Sequence, residues 1–482
     1  MSGAVGQPQG PDLAAYLGHQ RWFGGKGRVF HVSGSTTVAR LREASEHLPA
    51  VRIDVVHVAY DDGDTETYQL PIVAYPEPVE HLARVLVGEE TGADGGVYQL
   101  YDALHDKHST VLWMEGIAGD LSVDGADFHR EPTARELPPG GPSIVIGAEQ
   151  SNTSLIFGDT VILKVFRKVS PGLNPDIEIH SALAEAGSSH IAPPLGWLEG
   201  TWSDPVTGQL VTASLAMAQT YLKGATDGWE LALTSVRDLY AEGDLHADEV
   251  GGDFASEAER LGITTAEVHA TLANVLPTGR LHDKELTALV EAMRSRLEHA
   301  VGEVPDLEPY ADGLRQAFDD LADWPEPLLV QRVHGDFHLG QVMRTLDGWK
   351  LLDFEGEPAR PLQDRRALES PIKDVAGILR SFDYAARHLL ADHPPDGQLA
   401  YRGTEWAQRN REAFLSGYAR ASQRDPRDQP VLLRAFETDK AVYELLYETR
   451  NRPAWVHIPM FAIRRLALPK TTSQTDARSE TT

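Results

Sequence analysis

The stretch His334-Gly335-Asp336-Phe337-His338-Leu339-Gly340-Gln341, followed after a short gap by Leu351-Leu352-Asp353-Phe354-Glu355-Gly356-Glu357, decides how the rest of the chain is read. It sets one carboxylate inside a glycine-containing loop and a second at the end of the apolar run Trp349-Lys350-Leu351-Leu352. Phosphoryl transfer asks for such a pair, because catalysis there is mostly the orienting of an acceptor hydroxyl and the holding of divalent ions against phosphate oxygens. Asp336 and Gln341 are five residues apart, the spacing at which kinase catalytic loops place an aspartate and an amide, there normally Asn. Taken alone, a capped turn in any α/β protein would look similar. His334 and His338, four apart, would suit zinc on a helix, but the glycine-containing loop and the lack of a third ligand speak against it.

A phosphate cradle is expected upstream. Ser154-Leu155-Ile156-Phe157 turns at Gly158-Asp159 into Thr160-Val161-Ile162-Leu163-Lys164-Val165-Phe166, a Gly-Asp pair between β-branched runs that predicts a hairpin. Ser151, Asn152, Thr153 and Ser154 lie at its mouth as candidate nucleotide contacts, and Lys164 emerges from its second strand. A lysine so placed reaches nucleotide phosphates when a helix carboxylate holds it, and Glu178, in the segment opening at Asn174-Pro175, is the expected partner. An edge-strand lysine in solvent is the bland alternative. The run Leu215 to Leu222 sits where an inter-lobe hinge would hold a base, which nominates Gln219 and Tyr221. Trp22-Phe23-Gly24-Gly25-Lys26-Gly27 imitates a P-loop, but Gln20 stands where the first glycine belongs and Gly27 where Ser or Thr should follow the lysine. It reads as a structural turn.

For the acceptor, Lys440, Tyr443, Glu444 and Tyr447 share one face of a predicted helix. Two tyrosines, an ammonium and a carboxylate on one stripe suit a neutral disaccharide. The same stripe would also serve a half-buried amphipathic helix. Arg450, Asn451, Arg452, Pro453 and Trp455 close that helix, as pocket lining or as a cap.

Composition narrows the classes. A chain of 482 residues exceeds what one core usually serves, and its formal net charge of −28 disfavours nucleic acid and anionic membranes as partners. Phosphate must then be held by locally placed cations. With no cysteine, disulfides and thiolate metal sites are excluded. Met1 to Pro11 lacks a signal-peptide pattern and no apolar run is long enough to span a bilayer, so a cytoplasmic protein is expected. Short strand-like runs early in the chain give way, after about residue 225, to amphipathic segments such as Thr265 to Leu276, Asp283 to Leu297 and Asp306 to Trp324.

The set HGDFHLGQV and LLDFEGEP, with ESPIKDVAGILRSFDYAA from Glu369, KAVYELLYETRNRPAW from Lys440, RWFGGKGR near the start and EQSNTSLIFGDTVILKVFR in the middle, closely resembles actinobacterial maltokinases. These belong with the aminoglycoside phosphotransferase-like, eukaryotic-kinase-like enzymes. The resemblance implies an α+β, bilobal protein-kinase-like fold. Its parts would be an N-terminal cap subdomain over 1–88, an intermediate subdomain over 89–222 completing a mixed β-sheet N-lobe, a mainly helical C-lobe over 223–469, and a disordered tail over 470–482. It implies Asp336 as catalytic base, Gln341 and Asp353 as magnesium ligands, and His334 as a loop-shaping residue grouped with the substrate side. Lys440, Tyr443, Glu444 and Tyr447 would bind sugar. ATP and Mg²⁺ would be required, maltose would be converted to maltose 1-phosphate for α-glucan or glycogen synthesis, and a trehalose-maltose interconverting enzyme would be a partner. Two departures stand out: Gln341 replaces Asn, and Asp353-Phe354-Glu355 replaces Asp-Phe-Gly. The second argues against a mobile activation segment and brings Glu355 toward a second metal. Two rivals remain: a kinase for another acceptor, glucosamine or an aminoglycoside, and a catalytically silent pseudokinase serving as a binding module.

Overall fold

The computed structural model of the chain describes residues 11–134, 137, 141–147, 151–205, 207–357, 360–392 and 397–468. The chain divides into two compact units, Met1–Gly224 and Ala225–Thr482. The tail expected to be disordered lies outside the described residues.

The first unit is built on two antiparallel sheets. Helix α1 (Leu13–His19), capped by Asp12, precedes β1 (Phe30–Arg42), β2 (Ala50–Tyr60), β3 (Thr65–Tyr75), β4 (Leu86–Thr91) and β5 (Val97–Asp102), ordered β1-β2-β3-β5-β4. Strand β2 is buried along most of its length because both of its faces are covered, although it carries Arg52, Asp54 and His57. Val51, Ile53 and Val55 join a core with Leu155 and Leu163, while Val56, Val58 and Tyr60 join a second core with Tyr16, Trp22 and Tyr68. Each such side chain contributes about 1.5–3 kcal/mol on burial. The boundary expected at residue 88 falls inside β4, and the first sheet runs on to Asp102.

Helix α2 (Lys107–Gly119), capped by Asp106, leads into the second sheet. Its strands are β6 (Ser122–Val123), β7 (Ala126–Arg130), β8 (Ser143–Ile146), β9 (Asn152–Phe157), β10 (Val161–Phe166), β12 (Pro194–Ser203) and β13 (Leu210–Thr220), in the order β6-β7-β12-β13-β10-β9-β8. Between β10 and β12 the two-residue β11 (Lys168–Val169) crosses to pair with β3 of the first sheet. The predicted hairpin is β9–β10, with Val161 opposite Phe157 and Gly158 at φ 59° taking the turn. Helix α3 (Pro175–Glu185) starts from an Asn174 cap, whose side chain accepts from the Asp176 N–H, and has proline at its first position.

The second unit is mainly helical. Its helices are α4 (Gly228–Ala241), α5 (Ala255–Val275), α6 (Asp283–Glu303), α7 (Ala311–Ala322), α8 (Leu362–Arg365), α9 (Pro371–His388), α10 (Gly397–Ser422), α11 (Pro430–Asn451) and α12 (His457–Leu466). The amphipathic segment read as continuous from Asp306 is broken: Pro309 lies in a 3₁₀ turn, Pro305–Tyr310, ahead of α7. Short strands β14 (Thr226–Asp227), β15 (Thr278–Leu281), β16 (Leu328–Gln331), β17 (Val342–Thr345) and β18 (Gly348–Leu351) form small ladders between the helices. The buried stripe of α6 includes Val290, Met293 and Leu297, at spacings of three and four, and these share one core with Phe318 of α7 and Leu445 of α11. No helix among the described residues is long and apolar enough to cross a membrane.

Candidate active site

Strand β16 delivers the chain to Arg332-Val333-His334, and the loop that follows is fixed from beneath by one buried carboxylate. Asp374, in the first turn of α9, accepts from the His334 N–H at 2.7 Å and the Gly335 N–H at 2.9 Å, and lies 3.0 Å from His269 Nε2. Burial pushes the Asp374 carboxyl up, but His269 and the backbone donors outweigh it and hold the group below its ordinary range. At Gly335, where φ is 86°, a Cβ would come 3.2 Å from Gly356 Cα, so two loops meet there backbone to backbone. They are also tied by Leu352 N–H to Gln341 O at 2.9 Å and by His334 Nε2 to Leu352 O at 2.8 Å. His334 is 2% exposed, its ring against Phe337 and Phe354. That corrects its grouping with the substrate side: it ties the loops together. His338 sits in extended backbone at φ −156°, its Nδ1 accepting from the Gly340 N–H, so the helical histidine pair that zinc would need does not form.

Asp353 follows β18 at φ 63°, a left-handed conformation that non-glycine residues adopt at a cost, and the turn swings its carboxylate to Gln341. Gln341 Nε2 donates to Asp353 Oδ2 at 3.1 Å. A carboxylate oxygen of Glu355 lies within 4.8 Å of one of Asp353, and Arg365 Nη1 is 3.7 Å from Glu355. Two carboxylates and an amide oxygen are a hard, all-oxygen donor set, which fits a magnesium ion.

Asp336 is held by a cation. Lys440, on α11, donates to Asp336 Oδ1 at 2.9 Å and lies 3.5 Å from Glu357. Burial pushes the Asp336 carboxyl up, but the charge of Lys440, with smaller help from His338, holds it far below the ordinary carboxylate range. Burial alone would lower Lys440; Asp336 and Glu357 raise it instead. Along the same helix, Lys440 Nζ stands 5.0 Å from the Tyr443 ring centre, and Tyr443 stacks on Tyr447 at 6.4 Å. Beyond them Arg452 lies over Tyr447 and Trp455, at 5.2 and 4.3 Å, and Trp455 packs 4.6 Å from His388. Three of the four stripe residues therefore form a continuous shelf from Asp336. Glu444 does not: its Oε2 takes Arg380 Nε at 2.9 Å and Nη2 at 2.7 Å. One residue past Tyr443 the helix has rotated by about 100°, which turns Glu444 toward α9.

On the nucleotide side, Lys164 Nζ donates to Asp176 Oδ2 at 3.3 Å. Glu178, the partner expected from the sequence, lies half-buried two residues further along α3. Asp176 is 1% exposed, with His180 Nδ1 3.0 Å from its Oδ1. The four polar residues expected at the hairpin mouth also divide. Ser151 is exposed, whereas Asn152, Thr153 and Ser154 are 8%, 6% and 0% exposed within β9. Both faces of β9 are covered, so all three are enclosed, and Thr153 Oγ1 accepts from Arg167 Nε at 2.8 Å. At the end of β13 the Tyr221 N–H donates to Thr160 O at 2.8 Å, and the enclosed Gln219 Nε2 has no hydrogen-bond partner among the described residues. Sequence reading missed Asp176, Asp374, His269, Glu357 and Arg167. Asp176 alone had a local signal, the Asn-Pro-Asp opening of a capped helix.

Residues 16–106 match the maltokinase N-terminal cap domain, and residues 144–382 match the phosphotransferase enzyme family. A glucosamine kinase of Streptacidiphilus jiangxiensis is 31% identical over 71% of this chain and 77% of its own. A second, from Mycolicibacterium smegmatis (strain ATCC 700084 / mc(2)155), is 26% identical over 67% of this chain and 78% of its own. Among solved structures, a glucosamine kinase in complex with glucosamine, ADP and inorganic phosphate superposes with a TM-score of 0.66 at 22% identity, over 96% of this chain and all of the other. That likeness establishes the fold: a cap, a β-sheet N-lobe and a helical C-lobe.

Proposed function

The chain belongs to the phosphotransferase enzyme family, and on that premise we propose that it is a sugar kinase that moves the γ-phosphoryl group of ATP to the anomeric hydroxyl of maltose. The observation that carries this reading is the pair of Asp336 with Lys440 at 2.9 Å, opening onto the Tyr443–Tyr447 shelf. A carboxylate that stays ionised accepts the hydrogen bond of an acceptor hydroxyl and aims its oxygen. The bond from that oxygen to the γ-phosphorus forms as the bridge to ADP breaks, and the hydroxyl proton passes to Asp336. Because much of the transition-state charge resides on the phosphoryl oxygens, aiming matters more than basicity. Lys164, pinned by Asp176, steadies the phosphates, and Gln219 and Tyr221 face the base. Asp353 and Gln341 would hold magnesium, with Glu355 beside them, and the ion supplies positive charge to the phosphates when bound.

Lys440 also bears on which sugar. An acceptor ammonium beside Asp336 would meet a fixed cation, whereas a neutral sugar would not, and two stacked tyrosines offer more apolar face than one pyranose ring covers. The cap match to maltokinases points the same way. Glucosamine is the second reading, favoured by the names of the two relatives. If maltose is the substrate, an enzyme that makes it from trehalose is a fitting supplier.

Coupled ADP release with ATP and magnesium, against maltose, glucose, glucosamine and an aminoglycoside, tests the proposal, with Asp336→Asn as control. Maltose-dependent turnover lost in the control is the expected result. Turnover with glucosamine alone would retain the kinase and overturn the maltose assignment. ATP binding without transfer to any of them would leave the pseudokinase reading.

A further inference from the structure

The motif Trp22 to Gly27, which no step above uses, begins with a tryptophan that lies against Arg167, the most enclosed cation among the described residues of the first unit. Arg167 is 0% exposed. Its Nη2 donates to Asp102 Oδ2 at 2.5 Å, its Nε donates to Thr153 Oγ1 at 2.8 Å, and its guanidinium carbon lies 4.6 Å from the Trp22 ring centre. Asp102 and Trp22 belong to the cap; Thr153 belongs to the nucleotide hairpin. Tyr16 donates to the same Asp102 Oδ2 at 3.3 Å, and Asp102 Oδ1 accepts from the Leu104 N–H at 3.1 Å, so the anchoring carboxylate is itself immobilised. The backbone around Arg167 is clipped as well. The Gln69 N–H donates to Arg167 O at 2.7 Å, Gln69 Nε2 donates to Phe166 O at 3.0 Å, and Lys168 pairs with Glu66 at 2.6 Å.

A buried ion pair is a poor device for stability, because well-packed apolar residues often do as well. A planar guanidinium, in contrast, fixes several groups in one geometry, which an ammonium cannot copy. We propose that Arg167 is a positioning residue through which the cap sets the nucleotide hairpin. Thr153 pairs with Val165 in the β9–β10 register, one residue beyond Lys164, so displacing Thr153 displaces the strand that presents Lys164. The cap then acts on nucleotide affinity without touching nucleotide. This rests on the reading of β9–β10 as the nucleotide hairpin.

The test compares full-length wild type with Arg167→Met, Arg167→Lys, Thr153→Val and the Arg167→Met/Thr153→Val pair. ATP is varied at saturating acceptor, then acceptor at saturating ATP, with calorimetric titration of Mg·ADP and a melting curve for each. For Arg167→Met we expect KM for ATP and Kd for ADP to rise by about 5- to 10-fold, the lower part of the range for coupling between distinct sites, with acceptor KM unchanged. Arg167→Lys should not restore affinity, Thr153→Val should move in the same direction by less, and the double variant should be no worse than Arg167→Met. A lower melting temperature with unchanged nucleotide affinity, equal rises in both KM values, or additive effects in the double variant would overturn the proposal. Should Arg167→Met fail to fold, Thr153→Val decides by the same criteria. Wild type that binds ADP but phosphorylates none of the sugars refutes the proposed function and leaves the Kd comparison decisive. Wild type that binds no ADP refutes both.

Discussion

Two lysines do opposite work in this chain. Lys164 rises from the middle of a β-strand to an aspartate that is almost wholly enclosed, while Lys440 reaches from a helix to an aspartate that stays half-open. In the function proposed above, the carboxylate of the first pair serves the lysine: Asp176, fixed at the first turn of α3, would aim a cation at phosphate. In the second the lysine serves the carboxylate, keeping Asp336 charged and, on the same proposal, aimed at a hydroxyl. The same two residue types, at 3.3 and 2.9 Å, would make a phosphate clamp in one place and an acceptor anchor in the other. What differs is which partner is left accessible.

The largest break should come from Asp336→Asn. Turnover should fall by about 10³-fold, within the range for losing a positioned acid-base group, while ADP affinity by calorimetry holds. A matching loss of ADP affinity would show that Asp336 belongs to the nucleotide. Next, Lys164→Met should lower kcat/KM for ATP by about 10²-fold and Asp176→Asn by about tenfold, as expected for charge-assisted hydrogen bonds of about 1.5–3 kcal/mol. Acceptor KM, measured alongside, should stay put in both. If Asp176→Asn equals Lys164→Met, the carboxylate contributes more than the aim of the lysine.

Lys440→Met sharpens the second pair through pH. A carboxyl held below its ordinary range stays charged as pH falls, so the wild-type rate should show no acid limb from Asp336 above about pH 5. Without the lysine, burial pushes the Asp336 carboxyl up, so the variant should lose rate, by about tenfold, at a higher pH than wild type as pH falls. The pH–rate profile of kcat checks this, and the ratio of glucosamine to maltose turnover should rise in the same variant. Smallest, Tyr447→Ala should raise KM for maltose by about threefold, roughly one aromatic contact, and leave KM for glucose unchanged. An equal effect on both sugars would place Tyr447 against the first ring.

What the sequence makes legible is local. The β9–β10 hairpin follows from Gly158-Asp159 between apolar runs, and the helical half from its amphipathic spacing. The two short loops that carry Asp336, Gln341 and Asp353 can be read as neighbours from their motif, but what ties them, His334, Leu352 and the Gly335–Gly356 contact, emerges only in three dimensions. Long-range partners are illegible because no local pattern encodes them. Arg167 to Asp102 spans 65 positions, His269 to Asp374 spans 105 and Lys440 to Asp336 spans 104. Direction along an element is also hard to read. Helix rotation sends Glu444 away from Tyr443, and the covering of both faces of β9 hides Ser154, although polarity alone nominates both.

Helix α11 carries a final consequence. Glu437 is bound to Arg411 at 2.8 Å, Glu444 to Arg380 at 2.7 Å and Glu448 to Arg452 at 2.7 Å, the first two within a buried charge network around Asp383. Between them stand Lys440, Tyr443 and Tyr447. One helix thus interleaves three glutamates held by arginines with Lys440, which holds Asp336, and with the two tyrosines of the shelf. A descendant could exchange its sugar by changing the shelf alone, with the glutamates acting as an inherited chassis.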